Sequence, residues 1–456
     1  MSTSAKPKSH STKPRTSVRG WFDWHSWSGI LLGVLLFIVC WGGTFATIAN
    51  ELDWLTTPAL RVQPVGDPVP IEEAYQRVQQ AFPDATIGAI SAPLYKRSAY
   101  DVSIKTAAGE PRHVYVDPYT NRITGSVSYL NIQRYLRDFH RRFFAGNIGF
   151  YLVCLTAIPL FISLVTALVF YRRWWQRFFT FNKARSVRAF VSNLHQLLGL
   201  WAMWFVLVIA ITGTWYLAER VRSQFIDGKF SYVDALPSAI KPLPVLETGQ
   251  PQQRSFSELI NIVKTSRPDL TVGTVYPDRN GYFYVVGQSE HWLVRDRANK
   301  VFVHPDTGEI KYNQRADDLN AYWRWSNMAD PLHFGNFAGL ISKVVWFSFG
   351  LILCFLCLSG VWLFARRLQR NKKYRRKMRF AYGAITASGV LVAVCAPLPL
   401  FFLDKFGPKV NGVAYPAELG AGTLGFLIAW IILTVLLSVS WLWVLRGSYV
   451  AIGKSR

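Results

Sequence analysis

"DWHSWSGILLGVLLFIVCWGGTF", residues 23–45, is an apolar run long enough to cross a bilayer. It has a histidine near its start, a glycine four residues on and a Gly-Thr pair near its end. A second run, "NLHQLLGLWAMWFVLVIAITGTW" at 193–215, keeps the same intervals. His25 precedes Gly29 as His195 precedes Gly199, and Gly43-Thr44 and Gly213-Thr214 follow at 18 and 19 residues in both. A pattern that occurs twice asks for one explanation, and it sets the reading of the rest of the chain.

Of 456 residues 51% are hydrophobic and 15% aromatic, with a mean hydropathy of +0.16. Such a composition, with several long apolar runs, belongs to a membrane protein. Six spans are expected, over 27–49, 147–171, 194–217, 338–365, 382–403 and 421–445. The net charge of +24 is concentrated beside them: Lys6, Lys8, Lys13, Arg15 and Arg19 in the N-terminal tail, the stretch 171–188, and the stretch 366–379. Lysine and arginine in short loops mark the cytoplasmic side, so this charge reports orientation and no nucleic-acid partner. Both termini are then cytoplasmic, and residues 50–146, 218–337 and a short loop at 404–420 lie on the opposite side. The polar, basic tail over 1–20 reads as disordered. The first apolar run is too long for a cleaved signal and is not followed by a small-residue cleavage site, so it reads as a retained helix. Cys40, Cys154, Cys354, Cys357 and Cys395 all fall within apolar runs, which excludes an extracytoplasmic disulfide framework. The Cys354-x-x-Cys357 pair reads as packing residues inside a helix.

The repeat extends outward from the opening stretch. His140 precedes Phe144-Ala145-Gly146 as His333 precedes Phe337-Ala338-Gly339, and both following spans end in paired arginines, Arg172-Arg173 and Arg366-Arg367. "HVYVDPYTNRITG" at 113–125 lines up with "KVFVHPDTGEIKY" at 300–312, each a strand, a turn and a second strand. Upstream, 71–82 and 255–266 have helical apolar spacing. The expected fold is an α-helical membrane bundle of about six transmembrane helices, four of them from an internal duplication, with two small α+β modules. In order these are a cytoplasmic tail (1–20), the first span (21–49) and module 1 (50–146). The second and third spans with their basic loop follow (147–217), then module 2 (218–337), the fourth span (338–365), a basic loop (366–381) and the last two spans (382–456).

The strand signature and its flanking histidine-bearing helices resemble the PepSY-associated transmembrane proteins over most of 21–370. Some of these, of the FoxB type, are inner-membrane ferric-siderophore reductases that bind haem. The resemblance therefore implies a bacterial inner membrane, periplasmic modules and a role in iron acquisition. Other PepSY modules occur in proteins thought to regulate peptidases. His304 stands where the first copy has Asp117, so a role for that aspartate is not expected in both copies.

Topology sorts the histidines. His25 and His195 fall at cytoplasmic ends of the first and third spans, and His140 and His333 at the opposite ends of the second and fourth. Eighteen residues make five turns, which places Gly43 on the face of His25 about 27 Å away, close to the thickness of the hydrocarbon core. Glycines admit a flat group close to the backbone. The pattern therefore predicts two planar cofactors, one per leaflet, seated by Gly29, Gly199, Gly43 and Gly213. These are read as two haems b with His25/His195 and His140/His333 as axial ligands to iron. No C-x-x-C-H occurs, so covalent attachment is excluded. Arg134, Arg141 and Arg142 stand near His140 as candidate partners of haem carboxylates, although solvated interfacial arginines are the plainer reading. His113, His291 and His304 are expected at the surface of the modules, and His10 in the tail.

Two such haems across a bilayer would carry electrons to an acceptor outside, which the resemblance implies is a ferric siderophore. Tyr119, Tyr135, Tyr322, Trp323, Arg324 and Trp325 are candidate substrate contacts, being aromatic or basic and just outside the membrane. No dinucleotide or flavin fingerprint is present, so a membrane quinol or a separate cytoplasmic reductase would be the donor. Two alternatives stay open: a haem-free PepSY scaffold or regulator, and a siderophore permease. The second would need polar residues along a path, and the spans hold little beyond Thr, Ser and Cys, with Glu51 and Glu219 at the margins.

Overall fold

The structure, a computed structural model, describes residues 16–31, 33–226, 246, 254–290, 293–368 and 375–453. Residues 1–15 of the tail expected over 1–20, with His10, and also His291 and part of the basic loop at 366–381, lie outside the described residues, while 16–20 are helical.

The chain begins with α1 (Thr16–Leu31), α2 (Gly33–Thr47) and the short α3 (Ala49–Thr56). Next come α4 (Ile71–Ala81), β1 (Thr86–Ser91), β2 (Tyr100–Lys105), β3 (Pro111–Val116), β4 (Ile123–Ser128) and α5 (Ile132–Arg142). Helices α6 (Gly146–Leu155) and α7 (Ala157–Phe170) follow, then α8 (Val187–Trp201) and α9 (Met203–Val221). The same order then recurs: α10 (Phe256–Ser266), β5 (Thr271–Arg279), β6 (Tyr282–Gln288), β7 (Asn299–Val303), β8 (Ile310–Gln314), α11 (Ala321–Phe334) and α12 (Gly339–Leu368). The chain closes with α13 (Arg375–Cys395), α14 (Leu398–Phe401) and α15 (Ala421–Gly453).

Among the described residues five helices are long and apolar enough to cross a membrane, over 146–170, 203–225, 339–367, 382–401 and 421–443. A sixth crossing is available to α1 and α2 together, which meet at 60°. That bend corrects the straight-helix reading of the opening stretch. The helical phase that put His25 and Gly43 on one face does not carry from α1 into α2. At the bend Gly33 lets α2 approach α12, since a Cβ there would sit 2.5 Å from Val361 Cγ2.

A second correction concerns His140 and His333. They lie not on the spans but on α5 and α11, the helices before them. Each turns into its span through left-handed backbone: Phe143 and Phe144 at φ 48° and 55°, and Gly335 at φ 68°. Helix α5 forms because its first turn is capped from two sides. Asn131 accepts Arg134 N–H at 2.8 Å, and the buried Asp53 carboxylate accepts Ile132 and Gln133 N–H at 2.9 Å each. Its apolar face, Ile132, Tyr135, Leu136 and Phe139, is wholly buried in the bundle.

The strands form one eight-stranded antiparallel sheet in the order β4-β3-β2-β1-β5-β6-β7-β8. Two separate small sheets were expected. They are joined where β1 pairs with β5, Ile90 opposite Val275 and Ser91 opposite Thr274, with the two hydroxyls bonded at 3.1 Å. Alternation directs Ile90, Val102, Val114, Val275, Phe283, Val285 and Val301 to one face, where α4 and α10 cover them. The covering helices stack Tyr75 on Phe256 at 4.1 Å. In the β3–β4 turn the Asp117 carboxylate accepts Tyr119 N–H at 2.9 Å, and in the β7–β8 turn His304 Nδ1 accepts Asp306 N–H at 3.2 Å. The histidine thus takes over the turn-capping role of the aspartate, contrary to the expectation that no role is shared.

The last two spans close against α2 and α5. Trp41 Nε1 donates to Thr434 at 3.0 Å, and the Tyr135 hydroxyl donates to the Ala396 carbonyl at 2.5 Å. The proline-rich stretch after α13 therefore docks the helix that carries His140.

Candidate functional site

Each of the four histidines is held the same way, by Nδ1, from a neighbouring helix. His25 Nδ1 lies 2.9 Å from the Ser163 carbonyl and His140 Nδ1 2.9 Å from the Val39 carbonyl. His195 Nδ1 lies 2.7 Å from Ser359 Oγ, and His333 Nδ1 2.8 Å from Thr212 Oγ1. A carbonyl can only accept. The two hydroxyls already donate, Ser359 to Leu356 O at 3.3 Å and Thr212 to Val208 O at 2.7 Å. The proton is therefore assigned to Nδ1 in all four rings. Nε2 is left with a lone pair, and among the described residues no hydrogen bond reaches it in any of the four. This is the arrangement that metal-ligating imidazoles use: one nitrogen fixed by an outer oxygen, the other presented to the metal.

The outer pair, on α5 and α11, is brought together directly: the His140 and His333 rings lie with centroids 6.0 Å apart and planes at 33°. Both lie outside the spans and are half-buried. Burial lowers the pKa of His140 and takes that of His333 to about 3, so both are neutral and can act as ligands. His333 is further framed by Tyr216, whose ring stands edge-on at 5.2 Å and whose hydroxyl donates to Asp330 at 2.8 Å. Arg295 from the sheet side closes this chain on Asp330 at 2.5 Å and holds its carboxyl below the ordinary range. The inner histidines, His25 and His195, are electrostatic neighbours, and the edge of Phe170 packs on His25 at 5.3 Å.

The glycines divide. An added Cβ at Gly29 would meet nothing within 4 Å, and at Gly199 only Leu356 at 3.8 Å, so both border open space. At Gly43 it would lie 2.7 Å from His140 Cε1, and at Gly213 2.9 Å from Ala157 Cβ. Gly43 makes room for the imidazole itself, and Gly213 for a neighbouring helix. Gly360 was not singled out in the sequence; its Cβ would lie 3.4 Å from His195 Cε1. Nor were Val39, Thr212, Ser163, Ser359 and Asp330. Thr212 sits beside the repeated Gly213-Thr214 pair, which was the available signal.

Other candidates fall elsewhere. Tyr135 is fully buried among Phe139, Phe144 and Trp430, so it is a core residue rather than a substrate contact. Tyr119 donates to Lys96 O at 2.7 Å in the sheet's outer turn. Tyr322, Trp323 and Trp325 form a partly exposed aromatic group with Trp215 and the guanidinium of Arg222, and Arg324 donates to Asp317 O at 2.9 Å. Arg134 lies over the Tyr129 ring at 4.1 Å and donates to its hydroxyl, while Arg141 and Arg142 are half-buried at the end of α5. His113, expected at the surface, is 8% exposed. It pairs with Asp101 at 2.7 Å and stacks on Tyr129, because its strand face turns toward α5 and not toward solvent.

An eight-stranded sheet joined to a set of helices long and apolar enough to cross a membrane defines a multi-pass membrane protein. The family model of the PepSY-associated TM region matches residues 22–367, and the chain belongs to that family. No curated protein matches the chain.

Proposed function

We propose that this chain is a di-haem b electron-transfer protein, built by internal duplication, that carries electrons across the bacterial inner membrane to reduce a ferric siderophore in the periplasm. The observation that carries the reading is the common fixing of four imidazoles by Nδ1, with Nε2 left for metal. The spacing of the outer pair supports it. Two imidazoles at such a spacing, each with one ring nitrogen left free, would hold a metal between them. The His140 and His333 centroids are 6.0 Å apart.

An iron porphyrin bound between paired imidazoles supplies a one-electron couple with no open coordination site. The chain's own contribution is positional. Val39 O, Thr212, Ser163 and Ser359 hold the rings, Gly29 and Gly199 leave space beside the inner pair, and α5 and α11 bring the outer pair beneath the sheet. The aromatic group of Tyr322, Trp323 and Trp325, with Arg324, is the proposed meeting place for the chelate. A membrane quinol or a cytoplasmic reductase is the proposed donor.

The test is an absorption spectrum of the purified chain, oxidised and dithionite-reduced, with haem quantified. A sharp low-spin b-type spectrum near two haems per chain is expected, with the outer one lost in both His140→Ala and His333→Ala. In His25→Ala the outer haem should remain chemically reducible but receive no electrons from the cytoplasmic side. A haem-free protein from cells supplied with haem precursor would overturn the reading and favour a PepSY scaffold.

A further inference from the structure

A cavity of about 450 Å³ opens at the basic side of the bundle, lined by Ser186, Arg188, Ala189, Ser192, Leu363 and Arg367. Two helices lead to it from the inner histidines. On α8, Arg188, Ser192 and His195 recur at helical spacing and share one face. On α12, Ser359, which holds His195, is followed by Leu363 and Arg367 one and two turns on. Arg367 also reaches the other inner ligand. It donates to Ser26 Oγ at 3.2 Å, lies over Phe22 at 4.2 Å and acts electrostatically on His25. The cavity thus lies on the two helices that carry and hold His195, and shares Arg367 with the surroundings of His25.

Its chemistry has one sign. Two guanidiniums and two hydroxyls line it, with no carboxylate among the described residues of the lining. Arg188 is half-buried and makes no hydrogen bond or ion pair among the described residues. A planar group seated between the inner imidazoles would extend its edge here, and an edge bearing carboxylates matches guanidinium forks in charge and geometry.

We propose that this cavity is the carboxylate pocket of the inner site, in which Arg188 and Arg367 hold the two propionates of an iron porphyrin seated between His25 and His195. This rests on the haem reading above, and it fixes the orientation of the inner porphyrin, acid edge toward the basic loops. A phospholipid phosphate could occupy the same pair of arginines, so the test separates the two anions.

The full chain, freed of porphyrin, is titrated with iron protoporphyrin IX and with its dimethyl ester, following the absorption of the inner site in a His140→Ala background. The free acid should bind about tenfold or more tightly than the ester. In Arg188→Gln/Arg367→Gln the two forms should bind alike, and in Arg188→Lys/Arg367→Lys part of the preference should return. An unchanged preference in the glutamine variant overturns the pocket while leaving the haem reading intact. So does an unchanged preference accompanied by loss of co-purified phospholipid phosphate, which would make the pocket a headgroup site. Absence of low-spin porphyrin binding in the parent chain would instead sink the haem reading itself.

Discussion

His140 and Gly43 form one unit. The imidazole packs so closely on α2 that a methyl group at Gly43 would stand 2.7 Å from Cε1 and 2.9 Å from Nδ1. Gly43→Ala should therefore push the ring off the Val39 carbonyl, costing about 1–3 kcal/mol of stability as overpacking does. Thermal unfolding of the variant should show it, and the outer haem should be lost while the inner is retained. Thr212→Val is the milder probe. It keeps the shape and removes the acceptor of the His333 Nδ1 proton. Loss of such an outer partner weakens metal binding by about 10–100-fold. A porphyrin titration of the outer site should register that loss, and unchanged affinity would show that Thr212 does not orient the ring. At this scale the four histidines were legible in the sequence and the groups that hold them were not. The histidines stand out because their spacings recur in the two halves of the chain, whereas a backbone carbonyl such as that of Val39 leaves no mark in a sequence.

Helix α5 shows what a short element gains from distant parts of the chain. Its N-terminus is capped by Asp53, far away in sequence, and burial holds that carboxyl up at about 7, against the pull of the two N–H donors. Nearby, burial would lower the pKa of His113, but the charge and hydrogen bond of Asp101 outweigh it and raise the value. Both shifts act in one direction on stability. A carboxyl with a raised folded pKa binds its proton more tightly folded than unfolded, so stability falls as pH rises from its ordinary value of 3.8 to about 7. A histidine with a raised pKa contributes fully below its ordinary value of 6.5, and that contribution is lost as pH rises through its folded value. The melting temperature should therefore decline between about pH 5 and pH 8. Asp53→Asn, which cannot ionise, should flatten that decline, and an equal slope in the variant would refute the assignment. The sequence suggested α4, α10 and the strand pairs, because these follow local periodicity. It placed His140 and His333 on the spans, because the left-handed turn through Phe143 and Phe144 uses residues that carry no turn signature.

In the whole molecule, the apolar runs announced the bundle and the alternating stretches announced strands, but the joining of the strands into one sheet rests on pairing between segments some 180 positions apart. Neither Ser91 nor Thr274 signals it. Orientation rests on the basic loops alone and is testable directly. A cysteine placed at the exposed Lys105 should react with a membrane-impermeant maleimide from the periplasmic side, and a fluorescent protein fused after Arg456 should fold in the cytoplasm. Reaction of that cysteine only after the cytoplasmic face is exposed would invert the topology.

The two edge strands of the sheet are β4 and β8, and these are the strands that lead into α5 and α11. Each strand pairs with the next from one edge to the other, so the sheet is a caliper whose jaws each carry one imidazole. The outer pair is then placed from two directions, by the sheet that leads into α5 and α11 and by the helices α2 and α9 that hold the ring nitrogens. A caliper of fixed opening suits a site whose partner must be gripped at one distance. It does not suit transport by rocking one half against the other, since every cycle would have to tear the seam between β1 and β5.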